Sequence, residues 1–289
     1  MLSETTRVDH RTESFRWWFT PSWLGLDAPC VVLTWTWALS ESSGATLQIR
    51  PAVALFLVVW FIYLSDRFVD VAGCRDWTHA TGRLRFGRDY RTLFLACLGF
   101  CFAGILAVLW AGLPQEVILR AALVGLGVGL HFLAFVKPVF LRAKLPGKEF
   151  GVGLFFALGA FACLGATSRS LPLLASIASV VAFNCLVIAA RDADSDRMND
   201  PGGASHWWRM MNRDLLFLGV ALTLAAALGS VLTRETAFYL SLTVAFAALT
   251  ALHGNARCLS ADAVRALADF ALLTPIPIMG AMKYVRVLI

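Results

Sequence analysis

Three aspartates recur at a spacing of four residues in residues 188–203, which read I-A-A-R-D-A-D-S-D-R-M-N-D-P-G-G. They are Asp192, Asp196 and Asp200. On a helix, side chains four residues apart lie on one face, roughly 5–6 Å apart at Cβ. Carboxylates stacked in this way repel one another, and a shared cation relieves the repulsion. The spacing therefore predicts a divalent-metal site on this segment.

Part of the same pattern occurs earlier in the chain. Residues 65–70, S-D-R-F-V-D, match residues 195–200, S-D-R-M-N-D, at the serine, at both aspartates and at the arginine. The earlier aspartates are Asp66 and Asp70, and Ile62 stands where Asp192 would be expected. Each copy follows a long apolar segment, so the sequence predicts one helix end that is used twice, by two related halves of a single domain.

The residue types in the two motifs favour magnesium and a phosphorylated ligand. Oxygen-only ligands suit Mg²⁺ rather than zinc, and Mg²⁺ usually binds one or two carboxylates together with substrate phosphates. Arginine binds phosphate oxygens through two parallel hydrogen bonds, whereas lysine acts as a point charge. The alternative is that membrane topology alone explains basic loops. The basic candidates in and near the motifs are Arg67, Arg197, Arg83, Lys144 and Lys148.

Composition indicates a membrane protein. Of the 289 residues, 58% are hydrophobic and 15% are charged, against about 45–50% and 25% in soluble domains. The sequence predicts an all-α polytopic protein with about nine transmembrane helices in one bundle. Residues 1–22 are expected to be a cytoplasmic or interfacial segment, and charged residues there argue against a signal peptide. The predicted spans are about 23–40, 51–66, 92–111, 117–136, 150–167, 172–190, 214–232, 236–253 and 266–284.

The distribution of charge predicts an orientation. Most of the 25 lysine and arginine residues fall in alternate loops, which include both acidic motifs. By the positive-inside rule, the N-terminus and both motifs face the cytoplasm, and the expected location is a bacterial inner membrane. The pI of about 9.1 is explained better by basic residues in the loops between membrane segments than by binding of nucleic acid. The seven scattered cysteines show no metal-binding spacing.

Three ionisable residues lie outside the two acidic motifs and the basic loops. Asp269 lies inside the last apolar segment, where an ionisable group is a functional candidate by default; pairing with Arg265, one turn earlier, is the alternative. Asp27 precedes Ala28 and a proline and is interpreted as a helix N-cap. His131 is interpreted as a packed histidine rather than as a base.

These motifs resemble those of the UbiA superfamily of intramembrane prenyltransferases, whose members have nine transmembrane helices and two aspartate-rich motifs at the cytoplasmic ends of helices 2 and 6. The D-x-x-x-D motif of that family falls on Asp192 and Asp196. The last two acids of its N-D-x-x-D-x-x-x-D motif fall on Asp66 and Asp70. The resemblance covers most of the chain.

The first motif departs from the family pattern. The asparagine and the first aspartate of that motif fall on Ile62 and Tyr63. Three alternatives follow: Tyr63 or Ser65 completes the metal site, the metal is bound in a different way, or ordinary catalysis has been lost. Residues 135–153 look like the family's proline- and lysine-containing loop before helix 5. Arg83 falls roughly where the family carries a basic residue.

The resemblance implies Mg²⁺-dependent transfer of a prenyl group from a prenyl diphosphate to a small aromatic or lipophilic acceptor within the bilayer. Three alternatives stay open: a terpene cyclase of the same type, a transporter that uses paired acids for coupling ions, and a non-catalytic lipid-diphosphate binder. The implied catalytic residues and metal ligands are Asp66, Asp70, Asp192 and Asp196, with Asp200 as a further ligand. The implied diphosphate-binding residues are Arg67, Arg83, Lys144, Lys148, Arg197 and Tyr63.

Overall fold

The computed structural model of the protein describes residues 19–74, 77, 80–136, 147–165, 170–193, 204, 208 and 210–288. Within these residues it is helical, with no strand. A 3₁₀ turn, Ala256–Cys258, follows the tenth helix. The helices are α1 (Thr20–Trp23), α2 (Asp27–Ser43), α3 (Ile49–Gly73), α4 (Gly82–Asp89), α5 (Arg91–Trp110), α6 (Gln115–Val136), α7 (Lys148–Leu164), α8 (Ser170–Arg191), α9 (Met211–Leu232), α10 (Thr236–Asn255), α11 (Ala261–Ala271) and α12 (Pro275–Leu288).

Seven helical segments in the described part of the chain are long and apolar enough to cross a membrane. They are α3, α5, α6, α8, α9, α10 with the 3₁₀ turn after it, and the α11–α12 pair. The prediction of a polytopic helical membrane protein is therefore confirmed. Helices α2 and α7 cover two further predicted spans, and each has 17 residues, below the ~20 of a typical span. Nine spans and two related halves stay predictions.

The last predicted span consists of two helices rather than one. Ser260 caps α11, because its hydroxyl accepts a hydrogen bond from the N–H of Ala263 at 3.2 Å. The chain leaves the helix after Ala271, and α12 begins at Pro275. A proline has no N–H to continue the ladder of the preceding helix, which explains the break.

Two helices, α2 and α8, form the centre of the bundle. The apolar window of α8 is 61% buried, whereas that of α6 is 6% buried. Trp35 of α2 packs edge-on against Phe238 of α10, with ring centroids 5.6 Å apart. Helices α7 and α8 approach closely at Gly153, where an added Cβ would lie 2.9 Å from the backbone nitrogen of Ala182. Small residues at such crossings allow close packing of membrane helices.

The outer helices α5, α6 and α9 expose large apolar side chains, among them Phe100, Leu126 and Leu224. Lipid would cover these faces in a bilayer. Because the outer helices face lipid while α2 and α8 are enclosed, polar side chains on the enclosed helices need partners within the protein.

Helix α4 corrects the prediction that Arg83 lies in a loop. Phe86 of α4 packs between Trp23 and Phe94, with ring centroids 5.2 Å and 6.1 Å away. Gly87 faces α3, where an added Cβ would lie 3.7 Å from Cγ of Arg67. A short, basic helix is therefore held against the end of α3 that carries the first acidic motif.

Candidate functional site

The first acidic motif occupies the last two turns of α3. Asp66 and Asp70 are one turn apart and lie at the partly exposed surface, while Arg67 is 5% exposed. Carboxylates near the C-terminus of a helix are disfavoured by the helix dipole, so this end of α3 needs cationic neighbours. The structure supplies Arg83 from α4 and, within electrostatic range of Asp70, Lys148 from α7.

Arg83 connects the two acidic motifs. Its Nη2 lies 3.6 Å from Oδ2 of Asp70, and it also interacts electrostatically with Asp192. Burial alone would lower the pKa of Arg83, but Asp70 and Asp192 together raise it above its usual value. Asp70 of the first motif and Asp192 of the second thus both interact with one arginine, Arg83.

Asp192 follows α8 directly and is 6% exposed. Its Oδ2 accepts a hydrogen bond from Nη2 of Arg265 on α11. Burial raises the pKa of Asp192 to about 6, and the neighbouring Arg83 opposes this rise only in part. Pairing of Arg265 with Asp269, the alternative considered from the sequence, is therefore wrong, because Arg265 reaches across to the second motif.

Arg67 has an unusual environment for a guanidinium group. It lies where α3 and α4 pack together, and its charged neighbours are Arg83, Asp70, Asp66 and Asp27. Its Nε and Nη1 are buried and have no hydrogen-bond partner within the described ranges. An unsatisfied buried donor costs about 1–3 kcal/mol, and more when it is charged. Arg67 thus carries two buried donors that the described part of the chain leaves without an acceptor.

The described residues test the predicted magnesium site only in part. Among them, no group of three or more His, Cys, Asp and Glu side chains could hold a metal ion. Asp66 and Asp70 share a helix face, but Asp70 contacts Arg83 and Asp192 contacts Arg265. The placed donors thus fit Mg²⁺ only in the mode in which one or two carboxylates act together with phosphates of a ligand. Asp196, Asp200, Arg197 and Lys144 lie outside the described residues.

A second polar group lies deeper in the bundle; it contains Asp269 and Asp27, which the sequence analysis considered, and Asn184, which it missed. Nδ2 of Asn184 on α8 donates a hydrogen bond to Oδ1 of Asp269 on α11 at 2.9 Å. Asp27 is not the N-cap that was predicted, because Leu26 holds that position and Asp27 begins α2. Its carboxyl group lies in hydrogen-bonding contact with Asp269. Tyr63 is close enough to interact with both acids.

Two other features lie apart from this region. His131 packs against Phe155, with ring centroids 5.4 Å apart, which agrees with its interpretation as a packed histidine. A cavity of about 90 Å³ lies between Trp37, Phe238 and Met279. It is at the other end of α2 from Asp27, so it is separate from the acidic motifs.

The resemblance to the UbiA superfamily rests on the motifs quoted above and on the membrane pattern, and it stays a prediction. No protein-family model, no curated protein and no solved structure matches the chain.

Proposed function

We propose that the protein is an intramembrane enzyme that binds a prenyl diphosphate between its two acidic motifs and transfers the prenyl group to a small lipophilic or aromatic acceptor. The observation that carries this proposal is Arg67, a buried guanidinium group with two N–H groups unsatisfied in the described part of the chain. The proposal includes a nine-span, UbiA-like bundle of two related halves, with the motifs on the cytoplasmic side of a bacterial inner membrane.

Charge and position favour a phosphate headgroup on an apolar tail. Arg67 and Arg83 lie side by side and each has a buried N–H donor without a partner among the described residues. Phosphate oxygens accept such donors in pairs. Asp66 and Asp70 add carboxylates to this basic region. Carboxylates and phosphate oxygens together are typical ligands of Mg²⁺, so the region suits a diphosphate that binds as its Mg²⁺ complex. Beyond this end of the bundle the long helices are predominantly apolar, as a hydrocarbon tail requires.

In this proposal the residues of the chain act mainly on the leaving group. Arg67, Arg83 and Lys148 hold the diphosphate and stabilise the negative charge that develops on it as its C–O bond breaks. Mg²⁺ bound to Asp66, Asp70 and the diphosphate would supply further charge neutralisation. The enclosed helices keep water away from the allylic cation until the acceptor captures it.

One observation favours a second candidate, a non-catalytic lipid-diphosphate binder. Asp192 is paired with Arg265, and Ile62 occupies a ligand position of the family motif, so fewer carboxylates are open to a metal ion than the family pattern supplies. Such a protein would bind the diphosphate but form no prenylated product. A terpene cyclase would instead form product without an acceptor.

Binding and turnover can be tested with one set of variants. We would measure binding of geranylgeranyl diphosphate to the purified protein in lipid nanodiscs, with Mg²⁺ or with EDTA, and then analyse products with and without added acceptors. Arg67→Gln should weaken binding roughly 100-fold, because two charge-assisted hydrogen bonds are lost. The control Arg88→Gln removes an exposed arginine that pairs with its neighbour Asp89 and should leave binding unchanged. Equal binding by wild type and Arg67→Gln would refute the proposed site.

A further inference from the structure

Three helices bring polar side chains together inside the bundle. Asn184 of α8 donates a hydrogen bond to Asp269 of α11 at 2.9 Å, and Asp27 of α2 contacts the same carboxyl group. The neighbouring groups are Tyr63 and Asp66 on α3, Cys185 on α8 and Arg83 on α4. Glu149 and Lys148 of α7 face Cys185. We name Asp27, Asn184 and Asp269 the inner polar cluster.

The inner polar cluster lies deeper than the proposed diphosphate site. Asp269 is one turn further along α11 than Arg265, which contacts Asp192. Asn184 lies two turns before Asp192 on α8. At ~1.5 Å rise per residue, these steps correspond to roughly 6 Å and 12 Å along the helices. A ligand that touches the inner polar cluster would therefore lie below a headgroup held by Arg67 and Arg83.

The contact between Asp27 and Asp269 places two acidic side chains next to each other in the bundle. Together they offer several acceptor oxygens to a ligand. Ionisable residues within a membrane-spanning segment are functional candidates by default.

Asn184 gives an independent indication of a ligand. The residue is 4% exposed, and its Oδ1 has no hydrogen-bond partner in the ranges that the structure describes. Its Nδ2 is already used on Asp269. A buried acceptor without a donor costs free energy. Because the unpaired atom, Oδ1 of Asn184, is an acceptor, the matching ligand group is one that donates a hydrogen bond.

We propose that the inner polar cluster binds the hydroxyl group of an otherwise apolar molecule, which donates its hydrogen bond to Oδ1 of Asn184 or to the Asp27–Asp269 pair. The burial of Asn184 disfavours a strongly hydrated ligand, because such a ligand would have to lose its water. That this molecule is the acceptor of the prenyl group rests on the proposed function, whereas binding of the hydroxyl group does not.

The experiment compares two probes that differ in one hydrogen-bond donor. Binding of 2-naphthol and 2-methoxynaphthalene to the full chain in nanodiscs would be measured, with empty nanodiscs subtracted. Wild type should prefer 2-naphthol by about tenfold or more, as a hydrogen bond to a buried acceptor predicts. The preference should vanish in Asp269→Asn and in Asn184→Leu. It should persist in Asp89→Asn, the same chemical change at an exposed position.

Further measurements separate this site from the proposed function. Asp269→Asn should bind geranylgeranyl diphosphate as wild type does, and Arg67→Gln should keep the preference for 2-naphthol. In wild type, the infrared bands of side-chain amide and carboxyl groups should shift when 2-naphthol is added, because its hydroxyl group hydrogen-bonds to them, and this tests the cluster without any variant. Equal affinity of wild type for both probes, no infrared shift, or displacement of 2-naphthol by Na⁺, which would mark a cation site, would each overturn the proposal.

Discussion

Replacing Arg67 with methionine should stabilise the ligand-free protein and abolish its affinity for a diphosphate. Methionine matches the length of the arginine stem but has no donors. In the described residues, Nε and Nη1 of Arg67 are buried and unsatisfied, so their removal relieves a desolvation penalty. An unsatisfied buried donor costs about 1–3 kcal/mol, so the loss of these donors should stabilise the protein by an amount of this order. The Coulomb attraction of Arg67 to Asp66 and Asp70 is lost at the same time. The net stabilisation should therefore lie near the lower end of this range.

The same substitution should have the opposite effect on binding. Two charge-assisted hydrogen bonds at about 1.5–3 kcal/mol each correspond to a loss of roughly 10²–10⁴ in affinity. Stability would be measured by reversible unfolding in mixed detergent micelles without ligand, and affinity by titration with geranylgeranyl diphosphate. Arg67→Lys keeps the charge and should retain part of the affinity. A variant Arg67→Met that is less stable than wild type and still binds the diphosphate would show that Arg67 has a structural role instead.

Two further predictions concern Asp192 and the packing of α7. The pKa of Asp192 is about 6 in the folded protein and 3.8 in the unfolded chain. Between these pH values the folded protein therefore binds more protons at Asp192 than the unfolded chain does. The free energy of unfolding should fall by about 3 kcal/mol as the pH rises from about 4 to 6. Unfolding in EDTA should show this fall in wild type and not in Asp192→Asn. Gly153→Leu should destabilise the protein by about 2–4 kcal/mol, because the new side chain meets the backbone of α8. Gly99→Leu, at an open position on α5, is the matched control and should leave the unfolding midpoint unchanged.

The sequence predicted the apolar helices well and their polar ends less well. Long apolar runs determine where a helix can lie in a bilayer, and each of the predicted spans corresponds to at least one helix. Helix α4 was missed because Gly82–Asp89 is short and basic, so it has no apolar run to reveal it. Its position depends instead on Phe86, whose packing against Trp23 and Phe94 brings together residues far apart in sequence.

The site was predictable where the contacts are local and not where they are tertiary. The four-residue spacing placed Asp66 and Asp70 on one helix face, as observed. The partner of Arg265 could not be derived in this way, because Asp192 lies 73 residues away on another helix. Asn184 gave no signal at all, since a single amide in an apolar run looks like any other tolerated polar residue. Only its contact with Asp269, 85 residues further along the chain, reveals its importance.

The two groups of acids differ in their partners, and this difference follows from depth. At the end of the bundle, Asp70 and Asp192 are paired with Arg83 and Arg265, whose long side chains can reach that surface. One to two turns deeper, Asp269 has a second carboxyl group and an amide as its partners. The inner group therefore presents mainly acceptor oxygens, whereas the outer group contains guanidinium donors. An anionic head fits the outer group, a hydroxyl group fits the inner one, and apolar helices connect them.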